Sequence, residues 1–234
     1  MGGGNVWDVV SALGTILAVV AAIGTLIYVE EFKPRRRRPK LHPSFERGRT
    51  EYEATVCPDG VACEHWLRLR VTADRDRDAA DNVEVLFLAK KTAASGEPAP
   101  VEPRNLRWSA TTRTFNGRTL IDLLADDAPE PKTRVRVPAG TYRYVDVLQA
   151  SDSATVAGEQ QRVPRVCTWP FHADRHMMGT GDCTLFFSLT ADKADTRYFA
   201  LDVAWDGEWS ADAHWWNHLV VEGPRLLDTL PPDI

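Results

Sequence analysis

The chain has 234 residues, with 33 Asp and Glu against 28 Lys and Arg, a formal net charge of −5 and a hydrophobic fraction of 44%. The charge is unevenly placed: residues 1–40 hold three of the acids and six of the bases, leaving 30 acids against 22 bases in residues 41–234. So acidic a body argues against nucleic acid as a partner and against a domain lying flat on an anionic bilayer.

Residues 1–8, MGGGNVWD, form a short tail without Lys or Arg. Residues 9–29 then run without a charge or a proline. As a helix these residues rise about 31 Å, which matches a hydrocarbon core of roughly 30 Å. One isolated span must satisfy its backbone internally, so a transmembrane helix is expected. Trp7 and Tyr28 stand at its ends, where interfacial aromatics belong. Gly14, Ala18 and Ala22 recur every four residues, a spacing that permits close contact with a second copy of the span. A signal peptide would carry its charge before the apolar run rather than after it.

Residues 30–50 read as a basic, proline-rich neck. Lys33, Arg35, Arg36, Arg37, Arg38 and Lys40 follow the span, whereas the other flank carries only Asp8. Positive charge is retained on the cytoplasmic side, which predicts the N-terminus outside and the C-terminal domain in the cytoplasm. The same residues, 33–40, are placed to meet anionic headgroups, each contributing about 1 kcal/mol near the surface. Pro34, Pro39 and Pro43 predict an extended rather than helical neck.

Residues 51–224 read as strands, followed by a tail at 225–234. In WLRLRVT, Leu67, Leu69 and Val71 alternate with Trp66, Arg68 and Arg70; in NVEVLFLA, Val83, Val85 and Phe87 lie on one face. TRVRVP sets Val135 and Val137 against Arg134 and Arg136, and RYFALDVAW sets Phe199, Leu201, Val203 and Trp205 against Tyr198, Ala200 and Asp202. Such alternation gives each strand one buried and one wet side. Further strands are expected at 52–57, 104–109, 119–124, 141–149, 183–190 and 214–222. Turn signals separate them at PDG 58–60, SGEPAP 95–100, NG 116–117, APEP 128–131, PAG 138–140 and DG 206–207. Many short strands without an amphipathic helix between them predict a mainly β fold, an antiparallel β-sandwich or barrel-like variant, in one domain.

The stretch HWLRLRVTADRDRDAADNVEVLFLA resembles the strand–loop–strand unit of bacterial Ig-like domains, in which a loop precedes an Ala-x-x-Val-x-Val strand. Ala80, Val83 and Val85 hold those places, and an Asp/Arg run replaces the usual Asn-Gly of the loop. CTLFFSLTADKADTRYFALDVAWDGEW is similar to a segment of bacterial membrane-anchored sandwich proteins. The two stretches cover about 50 residues. The resemblance implies architecture and brings no catalytic residue with it.

Four groups of residues bear on chemistry. Cys167, His172, His176 and Cys183 are zinc-type ligands, but their spacing matches no common zinc module, so an ordinary loop is expected. Cys57 and Cys63 flank a turn; in a reducing cytoplasm all four cysteines are expected to be free thiols, whereas an external domain would favour two disulfides. Asp74, Asp76 and Asp78 have calcium-loop spacing, yet Ala79 and Val85 stand where the loop needs Gly and Glu. Trp205, Trp209, Trp215 and Trp216 crowd the C-terminal strands, and a strand at 214–222 would turn Trp215 and Trp216 to opposite faces. No phosphate loop, nucleophile elbow, His-Glu-x-x-His pair or dinucleotide fingerprint is present, so no catalytic, cofactor-binding or metal residue is assigned. These features favour a non-enzymatic, membrane-tethered module that binds a protein or small ligand. A membrane effector that clusters or perturbs the bilayer, and a cryptic hydrolase or metal enzyme, are the alternatives.

Overall fold

The computed structural model describes residues 6–57, 63–109, 132–151, 155–156, 159–160, 162–169, 176–232 and 234. They divide into two compact units, Met1–Arg38 and Pro39–Ile234.

The first unit is helical. Helix α1 (Val6–Ile27) runs into a single π-type turn, Tyr28–Phe32, and then α2 (Lys33–Arg37). This stretch is long and apolar enough to cross a membrane, and none of its apolar window is buried against protein. Its two threonine hydroxyls are satisfied locally: Thr15 donates to the Ser11 carbonyl at 2.9 Å and Thr25 to the Ala21 carbonyl at 2.8 Å. Residues 33–37 are thus helical where an extended neck was expected. Pro34 stands at the start of α2, directly after the π-type turn, whose last bond runs from the Lys33 amide to the Tyr28 carbonyl. The region read as neck also contains the first strand, β1 (Leu41–Ser44), and Pro39 is already buried.

The second unit is mainly β and antiparallel. One sheet has five strands in the order β1, β3 (Glu64–Ala73), β7 (Tyr142–Ser151), β10 (Arg165–Val166), with β2 (Glu53–Val56) also on β3. The other has seven, in the order β11 (Thr168–Trp169), β5 (Pro98–Leu106), β4 (Ala80–Thr92), β12 (Gly181–Thr190), β13 (Arg197–Trp205), β14 (Leu219–Leu227), with β6 (Val135–Val137) also on β4. A two-stranded ribbon joins β8 (Thr155–Val156) to β9 (Glu159–Gln160). The alternating residues meet in one core: Leu67, Leu69 and Val71 from β3 and Val83, Val85 and Phe87 from β4 lie there with Leu185, Phe187, Phe199 and Leu201. Phe187 stacks on Phe199 with ring centroids 5.1 Å apart. Each such side chain contributes about 1.5–3 kcal/mol by leaving water.

Two chain segments cross from sheet to sheet along one edge. β5 leaves the seven-stranded sheet and continues as Arg107–Ser109 beside β7: the Ser109 amide donates to the Tyr144 carbonyl and the Asp146 amide to the Arg107 carbonyl, both at 2.9 Å. β10 crosses the opposite way into β11, and the Arg107 amide donates to the Cys167 carbonyl at 3.3 Å, tying the two crossings together. The two sheets are therefore stitched together along this edge.

Several strand boundaries differ from expectation. β5 begins at Pro98, inside a stretch expected to be a turn; among the described residues, 98–104 have a partner strand only on the β4 side, and an edge tolerates proline. It ends at Leu106 rather than 109. The expected strand at 214–222 is a 3-10 helix, Ala213–Asn217, followed by β14. Asp212 caps that helix by accepting from the His214 amide. On β14, Gly223 has φ +112°, and a Cβ there would meet the Ala200 carbonyl oxygen at 3.0 Å, so the bulge opposite β13 requires glycine. The expected strand at 119–124 and the turns at 58–60, 116–117 and 128–131 lie outside the described residues.

Candidate functional site

The outer face of the five-stranded sheet is not the wet side that alternation implies. Turning Leu67, Leu69 and Val71 inward turns Trp66, Arg68 and Arg70 outward, yet Trp66 is only 2% exposed. The sheet-crossing segments account for this. They bring Arg107 against the same face, its guanidinium carbon 4.6 Å from the centre of the Trp66 ring. The Trp66 indole N–H is taken by the Glu64 carboxylate at 3.2 Å. Burial pushes Glu64 above the ordinary carboxylate range, against the pull of that hydrogen bond and of Arg107 and Arg165.

At the centre stands Asp146, almost fully buried on β7 opposite Arg68. Its Oδ1 accepts from Arg68 Nε at 3.1 Å and its Oδ2 from Arg107 Nε at 3.3 Å, and the Ser109 hydroxyl also donates to Oδ1. One carboxylate thus holds two guanidiniums, and with Glu64 and Arg165 beside them the cluster has three guanidiniums against two carboxylates. Beside it, Arg165 on β10 donates to Gln149 Oε1 at 3.1 Å, while Gln149 Nε2 is buried without a hydrogen-bond partner. Toward the other end of the face Arg70 lies over Tyr142 at 5.4 Å and Tyr52 at 5.9 Å. The arrangement is a polar and aromatic surface. It brings together cationic hydrogen-bond donors around a carboxylate that also accepts from a serine hydroxyl.

A second cluster contains the tryptophans. The β13–β14 connection carries its 3-10 helix onto β2 and β3, where His65 is enclosed. The ring stacks on Trp215 at 4.6 Å and meets Trp209 and Trp216 edge-on at 5.1 and 6.0 Å. Trp215 and Trp216 are both buried, 1% and 7% exposed, because a 3-10 helix does not send adjacent residues to opposite faces as a strand does. Both tryptophans therefore serve as packing rather than facing opposite sides of a strand.

The cysteines divide. Cys57 and Cys63 form a disulfide, against the expectation of four free thiols; they close the end of the antiparallel β2–β3 pair, where Val56 faces Glu64. Cys167 and Cys183 are free and buried, so two disulfides do not form either. Burial pushes the Cys167 thiol up to about 12 and the Cys183 thiol up to about 11, which disfavours the thiolate that zinc requires. His176 Nδ1 is paired with the Thr168 hydroxyl at 2.7 Å, and His172 lies outside the described residues. Among the described residues no three His, Cys, Asp or Glu side chains converge as metal ligands do. Asp74, first of the calcium-spaced acids, pairs with His42 Nε2 at 3.0 Å. A groove of about 400 Å³ on the seven-stranded sheet is lined by Asp182, Asp202, Glu222, Thr184 and Lys91, with the Thr184 hydroxyl donating to Asp202.

Arg68, Arg107 and Asp146 were not singled out in the sequence. They lie 39 and 78 positions from one another in the two Asp146 pairs, so no local spacing announces them. The only local hint is a tryptophan within two residues of each arginine, Trp66 before Arg68 in WLRLR and Trp108 after Arg107 in LRW. No protein-family model and no curated protein sequence matches the chain.

Proposed function

We propose that this chain is a non-enzymatic recognition module tethered to a membrane by its N-terminal helix, with a sandwich of Ig-like type presenting the outer face of its five-stranded sheet to a ligand or protein partner. The observation that carries the reading is the division of labour in the chain: the apolar helix is wholly uncovered by protein, while every residue of the apolar core lies beyond Pro39. An uncovered apolar helix needs lipid around it.

The six bases after the span orient the domain toward the cytoplasm of a bacterial cell and meet anionic headgroups. The Cys57–Cys63 bond argues in the opposite direction, since persistent disulfides belong to oxidising compartments. Charge carries the proposal because it acts while the span inserts, before the domain's cysteines can pair. Residues Gly14, Ala18 and Ala22 supply a small-residue face for self-association, and Gly14 has open space where a side chain would stand.

Two measurements test this. Membranes from expressing cells should retain the full chain through alkaline carbonate and release it to detergent, with normal growth on induction; growth arrest that requires the span would support a bilayer-perturbing effector instead. A Ser95→Cys variant should react with an impermeant maleimide only after the cells are opened. Labelling in intact cells would reverse the orientation.

A further inference from the structure

The guanidinium pair on the five-stranded sheet has more donors than its partner can use. A guanidinium carries five N–H donors, and a carboxylate engages two of them in its best geometry. Beyond Asp146, neither Arg68 nor Arg107 has a side-chain acceptor among the described residues. Their side chains are 22% and 18% exposed, whereas Asp146 is 3% exposed, so the carboxylate sits beneath and the unspent donors remain within reach of solvent. Both arginines are fixed through Nε, and Arg107 is further held over Trp66. Little side-chain entropy is left to lose on binding. The carboxylate-shaped place is already taken by Asp146; what is left is two forks, in a cluster whose three guanidiniums (Arg68, Arg107, Arg165) outnumber its two carboxylates (Asp146, Glu64) by one.

Resting on the recognition reading above, we propose that Arg68 and Arg107, set by Asp146 and Ser109, form a clamp for a phosphate-type oxyanion. A tetrahedral oxyanion offers several oxygens and can accept from both guanidiniums at once, neutralising the excess charge. A phosphate of this kind is carried either by a soluble phosphorylated compound or by a lipid headgroup.

The test uses the full chain in nanodiscs of zwitterionic lipid, titrated calorimetrically with orthophosphate against chloride at matched ionic strength. Saturable binding is expected. Arg68→Gln and Arg107→Gln should each weaken it at least about tenfold, the loss of one bidentate charge-assisted pair, whereas Arg225→Gln, on the other sheet, should leave it unchanged. Arg68→Lys guards against misfolding of the Gln variants: it keeps the charge but loses the fork, and should still weaken binding. Competition by phosphatidic acid placed in the nanodisc would identify a headgroup as the source, and its absence a soluble phosphate; both outcomes support the clamp. Unsaturable heat, or binding equal to wild type in a folded Arg68→Gln/Arg107→Gln variant, would overturn it. Carbonate-resistant membrane association and normal growth without phosphate binding would remove the oxyanion alone and leave the tethered recognition module standing.

Discussion

His65 shows how completely a single polar residue can be absorbed into a core. The Trp216 indole N–H donates to Thr55 Oγ1 at 3.1 Å, the Thr55 hydroxyl pairs with His65 Nδ1 at 3.0 Å, and His65 Nε2 faces the Ser210 carbonyl at 2.9 Å. A carbonyl cannot donate, so Nε2 carries the hydrogen and Nδ1 accepts; the ring is neutral and both nitrogens are satisfied. Burial lowers its affinity for a proton, and the Ser210 carbonyl and the charge of Asp212 only partly oppose this. The unfolded chain, with an imidazole near its ordinary 6.5, therefore binds the proton first. Stability from this residue is full above that value and declines as pH falls through it toward the lower folded pKa. Melting temperature measured between about pH 8 and pH 5 should fall in the acid limb. A His65→Gln variant should lose stability overall but show a flatter acid limb; an unchanged acid limb would mean that another group governs it.

At the scale of elements, the strands that carry the core were legible and the ones that build the site were not. The period of two in WLRLRVT, NVEVLFLA and RYFALDVAW corresponds to β3, β4 and β13, with the expected residues inward. β12 adds Phe187, flanked by Phe87 at 5.6 Å and stacked on Phe199. Phe187→Ala should cost about 3–5 kcal/mol by leaving a cavity that a two-sheet core closes poorly. Urea unfolding of residues 39–234 would show this as a lower midpoint with an unchanged slope; a loss below about 1 kcal/mol would mean that the sheets collapse onto the gap. Alternation failed at 213–217 because His and Trp suit strands by composition, while the signal for a helix start was the single capping Asp212. It failed on the outer face of β3 for a different reason. Period two says which residues leave the core, but not that Arg107 and Ser109 will cross from the other sheet and cover them. The clamp is a product of topology, and topology is not written locally.

For the whole molecule, the charge division and the core division coincide. The acids dominate beyond residue 40, and the core residues all lie beyond Pro39, from Leu41 on β1 to Ile234, which packs on the small outer cluster of Ala89, Phe186 and Ala200. None of the helix's apolar window is buried. Removing residues 1–38 should therefore remove the need for detergent without removing any part of the core. A chain of residues 39–234 should purify from the soluble fraction and unfold cooperatively, with a melting temperature within about 2 °C of the full chain in neutral nanodiscs, since a 1 kcal/mol difference moves a domain of this size by only about 2–4 °C. Its net charge of −7 by composition should also keep it apart from anionic vesicles at low salt, while the full basic segment 33–40 attached to it should restore vesicle binding that fades as salt screens the charge. A truncated chain that aggregates or melts non-cooperatively would show that the helix completes the domain's apolar surface, and the separation between tether and recogniser would fail with it.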